Sequence, residues 1–198
     1  WSAQRGDSMD ERVRRSILEK NQKLIDMVIE RVKRDFAGDI ALIGLTGSFQ
    51  TGDFHEASDL DLIIISENDR PAAMSRSFIL GDVGYDIYLT PWSPRIEQAA
   101  ALESPMVSAL VDLQILYSAG PEATAKFEGY RRRALAALAQ PIGPACLGRA
   151  RTWIDRMMRD YAAACVGEDI GAVRYAAGGV LYNAVNALTQ LNNTYIRC

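Results

Sequence analysis

Apolar and polar positions change their period along this chain. Between residues 10 and 36, Val13, Ile17, Leu24, Met27, Val28, Val32 and Phe36 recur near every 3.6 residues, and Lys, Arg, Glu and Asp fill the other face. That stripe predicts one amphipathic helix, which Gly38 ends. "DIALIGL" (39–45) then reads as a short buried strand, and "DLDLIII" (59–65) as a second whose later half is continuously apolar. A linker around Pro71 leads to "VGYDIYLTP" (83–91), a third strand ended by Pro91. "LQILYS" (113–118) is a weaker strand pattern that equally fits the end of a helix.

From Pro121 onward the pattern turns helical. "EATAKFEGYRRRALAALA" has helix-forming composition, Pro141 and Pro144 interrupt, and helix-like stretches follow near 146–166 and 169–193. The organisation predicted is an α/β domain over residues 10–120 and a helical domain over 121–198. Gly178 and Gly179 fall inside the last stretch, where each glycine costs about 1 kcal/mol relative to alanine. A close helix–helix approach would account for the pair, and so would a local break.

Two aspartates disturb the second strand. Side chains alternate across a strand, so Asp59 and Asp61 share one face while Leu60 and Leu62 point into the core. Carboxylates at that separation repel, which raises one proton affinity unless a cation lies between them. A hard divalent cation such as Mg²⁺ supplies that charge through oxygen ligands and substrate phosphates. A solvated strand start explains an isolated Asp-x-Asp as simply, but three neighbours favour the cation. Gly47 lets a phosphate approach the backbone just after the first strand, and Ser48 adds a hydroxyl. Gly52 fits a tight helical turn that brings the chain back to the second strand. Asp86 stands mid-strand in "GYDIYL", where an unpaired carboxylate is disfavoured.

Composition narrows the classes that remain. Apolar residues make up 48% of the 198 positions, enough for a packed core. Lys plus Arg number 22 against 25 Asp plus Glu, and a net charge of −3 argues against a dedicated nucleic-acid binder. Cys146, Cys165 and Cys198 lack CxxC spacing and His55 is the single histidine, so a Cys/His zinc site and a disulfide framework are both excluded. A reducing, cytoplasmic setting fits that usage. No apolar run approaches the ~18 residues that a membrane helix needs. The residues before Met9 show no apolar signal core, and an apolar-periodic segment runs up to Cys198, a pattern open to continuation.

Gly47-Ser48, ten intervening residues, Asp59 and Asp61, and then Asp86 on a later strand resemble the nucleotidyltransferase superfamily that includes DNA polymerase beta. The likeness is best over residues 40–90. The short core, "ILYS" followed by a helix, and "RYAAGGVLYNAVNALTQLNNTYI" are most similar to the aminoglycoside nucleotidyltransferases of the kanamycin and streptomycin type. The resemblance implies an α/β (α+β) nucleotidyltransferase core with a short mixed sheet, followed by a helical-bundle C-terminal domain. It implies transfer of a nucleoside monophosphate, AMP from ATP or another NTP, to a hydroxyl of a small-molecule acceptor, with release of pyrophosphate. Asp59, Asp61 and Asp86 would hold Mg²⁺, two ions in the general pattern for in-line displacement. Gly47 and Ser48 would grip the terminal phosphates.

Other roles stay open under that resemblance. Asp86 either ligates the second metal or takes the acceptor proton. A base from the helical domain is the alternative, with Asp160, Glu168 and Asp169 available, and Arg131, Arg132 and Arg133 could neutralise a phosphate. Each of these reads more simply as a solvated helix charge. Trp92 beside Pro91 reads as packing, and His55 as a loop residue. Transfer to tRNA or to a protein hydroxyl, and a non-catalytic nucleotide-sensing module, are the competing readings. A homodimer sharing its active site is compatible with the family.

Overall fold

Asp10 starts the first helix by accepting a hydrogen bond from the Arg12 backbone N–H at 2.8 Å, which satisfies one of the donors a helix start leaves open. The computed structural model describes residues 10–81 and 83–197, so the expectations placed before Met9 and on Cys198 lie outside the described residues. α1 (Glu11–Asp35) buries Ile25, Val28 and Val32, spaced by three and four along one face. Those residues pack on a sheet through Ile43, Leu45, Leu60, Leu62, Ile64 and Ile87.

The sheet is built from β1 (Ile40–Thr46), β2 (Leu60–Ser66), β3 (Arg76–Leu80), β4 (Val83–Pro91) and β5 (Gln114–Ser118), in the spatial order β3-β4-β2-β1-β5. β1 runs antiparallel to β2 and β5, β2 is parallel to β4, and β3 is antiparallel to β4. The sheet is therefore mixed, as expected. β1 is buried at all seven positions because strands flank it on both sides. Gly44 in its middle has no side chain because the Leu113 side chain occupies the space a Cβ would take.

The linker expected around Pro71 is in fact a 3₁₀ turn (Arg70–Met74) followed by β3. All five residues of β3 are exposed, so the strand shows none of the in–out alternation by which a strand is recognised. The usable signal was the Gly-Asp dipeptide of a hairpin turn in the sequence: Leu80 pairs with Val83, and Gly81 takes φ +59°.

Helices α3 (Glu97–Ala100) and α4 (Val107–Val111) lie between β4 and β5, α5 (Pro121–Leu138), α6 (Pro144–Val166) and α7 (Ile170–Leu191) follow β5, and α2 (Gly47–Thr51) lies between β1 and β2. The fold is thus α+β with a helical C-terminal region. The chain forms two compact units that interleave in sequence. Among the described residues, one takes in those up to Pro94 and Asp112–Phe127, the other Arg95–Val111 and Glu128–Arg197. No helix of the described residues is long and apolar enough to cross a membrane.

Within the helical unit, α6 and α7 form a hairpin of helices over a three-residue connection. Asp169 caps α7 by accepting from the N–H groups of Gly171 and Ala172 at 2.8 and 3.0 Å. Asn193, just beyond α7, donates to the carbonyls of Ala137, Leu138 and Gln140 and so ties off the end of α5. The two glycines of α7 have different reasons to be there. A Cβ on Gly179 would meet the Asp160 carboxylate of α6, whereas nothing lies within 4 Å of one on Gly178. Gly178→Ala should therefore raise the unfolding free energy by up to about 1 kcal/mol through helix propensity, and Gly179→Ala should lower it by at least as much. Urea unfolding of the two variants checks the opposite signs.

Candidate active site

Parallel pairing of β2 with β4 sets Asp61 directly against Asp86. The alternation of each strand sends the flanking residues to the core: Leu60 and Leu62 on β2, Tyr85 and Ile87 on β4, all under 10% exposed. Asp61 is half-buried and Asp86 exposed, so the two carboxylates sit at the accessible end of neighbouring strands. Asp59 precedes β2 by one residue and is also exposed. Its Cβ stands 3.4 Å from where a Cβ on Gly84 of β4 would be, which places it on the same pair of strands.

Gly47 completes the arrangement from β1. Thr46 pairs with Asp61, and the chain turns into α2 at Gly47 with φ +78°, a conformation that favours glycine. The Asp61 Oδ2 lies 2.5 Å from the point a Cβ on Gly47 would occupy. Any side chain at Gly47 would expel that carboxylate. Ser48 follows half-buried, and α2 ends at Gly52 with φ +82°. The turn expected from the recurrence of Gly52 is therefore real.

Burial, then the charge of Asp59, then that of Asp86 push the Asp61 carboxyl up to about 6. Ser77 on β3 donates its hydroxyl to Asp86 Oδ1 at 2.8 Å. Asp59, Ser77, Phe78, Tyr85 and Asp86 line one cavity of about 400 Å³, in which Phe78 stacks on Tyr85 with ring centres 5.2 Å apart. The structure thus places Gly47, Asp59, Asp61 and Asp86 on neighbouring strands, with Ser48 following Gly47 at the start of α2. Ser77 was missed because the strand that carries it was missed.

The donor set is chemically matched to a hard cation. It consists of carboxylate oxygens with a neighbouring hydroxyl, and neither imidazole nor thiolate is among them. The space at Gly47 admits one of those carboxylates. Among the described residues, no group of three or more His, Cys, Asp or Glu is drawn in to ligand spacing.

Four of the other candidates have structural duties. Asp169 is the cap of α7. Arg131 donates to the Leu110 carbonyl at 3.0 Å and to Glu128 at 2.5 Å. Trp92 is buried, donates Nε1 to Glu67 at 2.8 Å and lies under the Lys126 ammonium, as its packing reading requires. His55 closes the loop before Asp59, accepting at Nδ1 from the Ala57 N–H.

The shift at Asp61 has a consequence for stability. Its folded pKa exceeds the unfolded one, so the folded state binds the extra proton between about pH 4 and pH 6. Stability is lost as pH rises through that window, and the penalty is complete above it. Asp61→Asn should therefore stabilise the chain at pH 7.5 by about 1 kcal/mol, discounted for the solvent that screens a half-exposed group. The gain should vanish near pH 4. Chemical unfolding at both pH values in metal-free buffer checks it.

Comparison with known proteins bears on the same residues. A family profile described as the nucleotidyltransferase domain matches residues 25–132, just over half of the chain and a span that holds Gly47, Ser48, Asp59, Asp61 and Asp86. No curated protein matches. Among solved structures, a nucleotidyltransferase-like protein from Exiguobacterium sibiricum 255-15 is similar at 10% identity and a TM-score of 0.40, with 86% of this chain and 59% of that one covered. The chain therefore spans less than two thirds of that protein's length. On the profile match, the chain belongs to the nucleotidyltransferase domain family of the DNA polymerase beta-like superfamily.

Proposed function

We propose that the chain is a Mg²⁺-dependent nucleotidyltransferase that moves AMP from ATP to a hydroxyl of a small molecule and releases pyrophosphate. The observation that carries this reading is the Asp61 carboxylate seated against Gly47 with Asp86 paired opposite it. One glycine thereby couples the phosphate-binding turn to the carboxylates. Asp59, Asp61 and Asp86 would hold the metal, which neutralises triphosphate charge and orients it for displacement. Gly47 and Ser48 would receive the terminal phosphates. Ser77 would act through Asp86, holding one of its carboxylate oxygens by the hydrogen bond it donates.

An acceptor of the aminoglycoside type is favoured by charge. Of the 25 acidic and 22 basic residues, 7 and 10 fall in the helical unit, which leaves 18 against 12 in the sheet unit. A cavity lined by two carboxylates suits a cationic sugar, whose ammonium groups pair with the acids.

The test incubates the protein with ATP, MgCl₂ and panels of aminoglycosides, lincosamides and tRNA, then weighs the products. A gain of one AMP on an aminoglycoside is the expected result. Addition to tRNA or to a protein alone would replace the small-molecule acceptor, and nucleotide binding without turnover would replace the enzyme reading with a sensor. Asp59→Ala and Asp61→Ala should each lower Mg²⁺-dependent pyrophosphate release by about a hundredfold or more, and normal turnover in either sinks the catalytic assignment. Ser77→Ala should lower kcat by about tenfold with the fold unchanged. MgCl₂ should raise the Tm of the wild type and not that of Asp61→Asn, a readout independent of turnover.

A further inference from the structure

The helical unit has a charge character opposite to that of the sheet unit. Its ten basic residues outnumber its seven acidic ones, and all ten are arginines. Arginine differs from lysine in presenting a planar fork that binds phosphate at two points and stacks on aromatic rings. Several of these arginines converge on one groove of about 670 Å³ over α6 and α7.

One stripe of α7, at spacings of three and four, supplies Arg174, Tyr175, Gly178 and Tyr182, and α6 supplies Trp153 and Arg156. Arg95 stands at its margin. Arg156 already lies 4.7 Å over the Trp153 indole, and Tyr182 meets that indole edge-on at 6.1 Å. Tyr175 is 87% exposed, a large ring with almost no contact of its own. Neither Arg95 nor Arg174 is in an ion pair among the described residues.

Gly178 adds an independent argument. It weakens α7, it has open space where a Cβ would go, and it lies on the groove between Arg174 and Tyr182. Among the described residues, no packing neighbour needs a glycine there. A flat ligand laid across the helix would. Asp160 is the single acidic lining residue and already accepts from Asn183 at 2.7 Å, which leaves its other oxygen as an acceptor for the edge of a bound base.

We propose that this groove is a binding site for a phosphate-bearing aromatic ligand, a nucleotide either free or within a single strand. The arginines take the phosphate, Tyr175 and Tyr182 stack on the base, and Gly178 leaves room for its plane. The site lies wholly within the helical unit and does not depend on the transferase reading.

The test uses the intact chain in EDTA, which removes metal-dependent binding at the carboxylates. Titration with AMP by calorimetry, and with a labelled hexaribonucleotide by fluorescence anisotropy, should give saturable binding of at least one probe. Saturation by AMP identifies a free nucleotide, and saturation by the oligonucleotide alone identifies a strand. Arg174→Ala and Tyr175→Ala, both at exposed positions, should each weaken binding by about tenfold or more without altering the circular dichroism spectrum. Gly178→Leu should abolish it. Wild-type affinity in the Arg174 and Tyr175 variants, or no binding of either probe at millimolar concentration, overturns the site. Inorganic phosphate competing as well as AMP overturns the stacking role of the tyrosines.

Discussion

The candidate-site end of the sheet depends on one steric fact: the Asp61 carboxylate fills the space that a side chain at residue 47 would need. β1 ends where it does because Gly47 turns the chain with a positive φ, and that same residue leaves the cleft into which β2 directs its aspartate. Pairing of Thr46 with Asp61 and of Asp61 with Asp86 then carries the register across three strands. The apolar anchors on the other face hold that register, because a slip of one residue would send Leu60 and Leu62 to solvent and the aspartates into the core. Charge repulsion at the site is thus tolerated by a sheet whose buried face fixes it.

Much of this could be read from residue order. The spacing of Val28 and Val32, the apolar run of β2 and the termination of β4 at Pro91 announce their elements because each buries a regular face. Asp59, Asp61 and Asp86 were visible because a carboxylate within a buried pattern contradicts its surroundings. β3 gave no such contrast, since an edge strand exposed throughout has no face to alternate, and Ser77 was lost with it. The difference between Gly178 and Gly179 was also invisible in sequence. It depends on where Asp160 of another helix falls, a tertiary fact with no local trace.

The distribution of charge shows why a whole-chain total is a poor guide to ligands. A net charge of −3 conceals an acidic sheet unit and an arginine-rich helical unit. Each surface attracts by its local field, which extends only about 10 Å at moderate ionic strength. Two ligands of opposite sign can therefore be recognised by one chain whose total charge favours neither.

β3 has a further consequence, for the dynamics of the site. It ends the sheet, and Ile79 and Leu80 are 78% and 54% exposed, so its hold is the hydrogen-bond ladder to β4 and little buried area. Strands with few apolar contacts open locally at a small fraction of the global unfolding free energy. Each such peeling event takes the Ser77 hydroxyl away from Asp86 while α1 and the central strands remain folded. The fraction of time that Asp86 keeps the Ser77 hydrogen bond is then set by fraying at the margin of the sheet, and amide exchange along residues 76–80 is its direct clock.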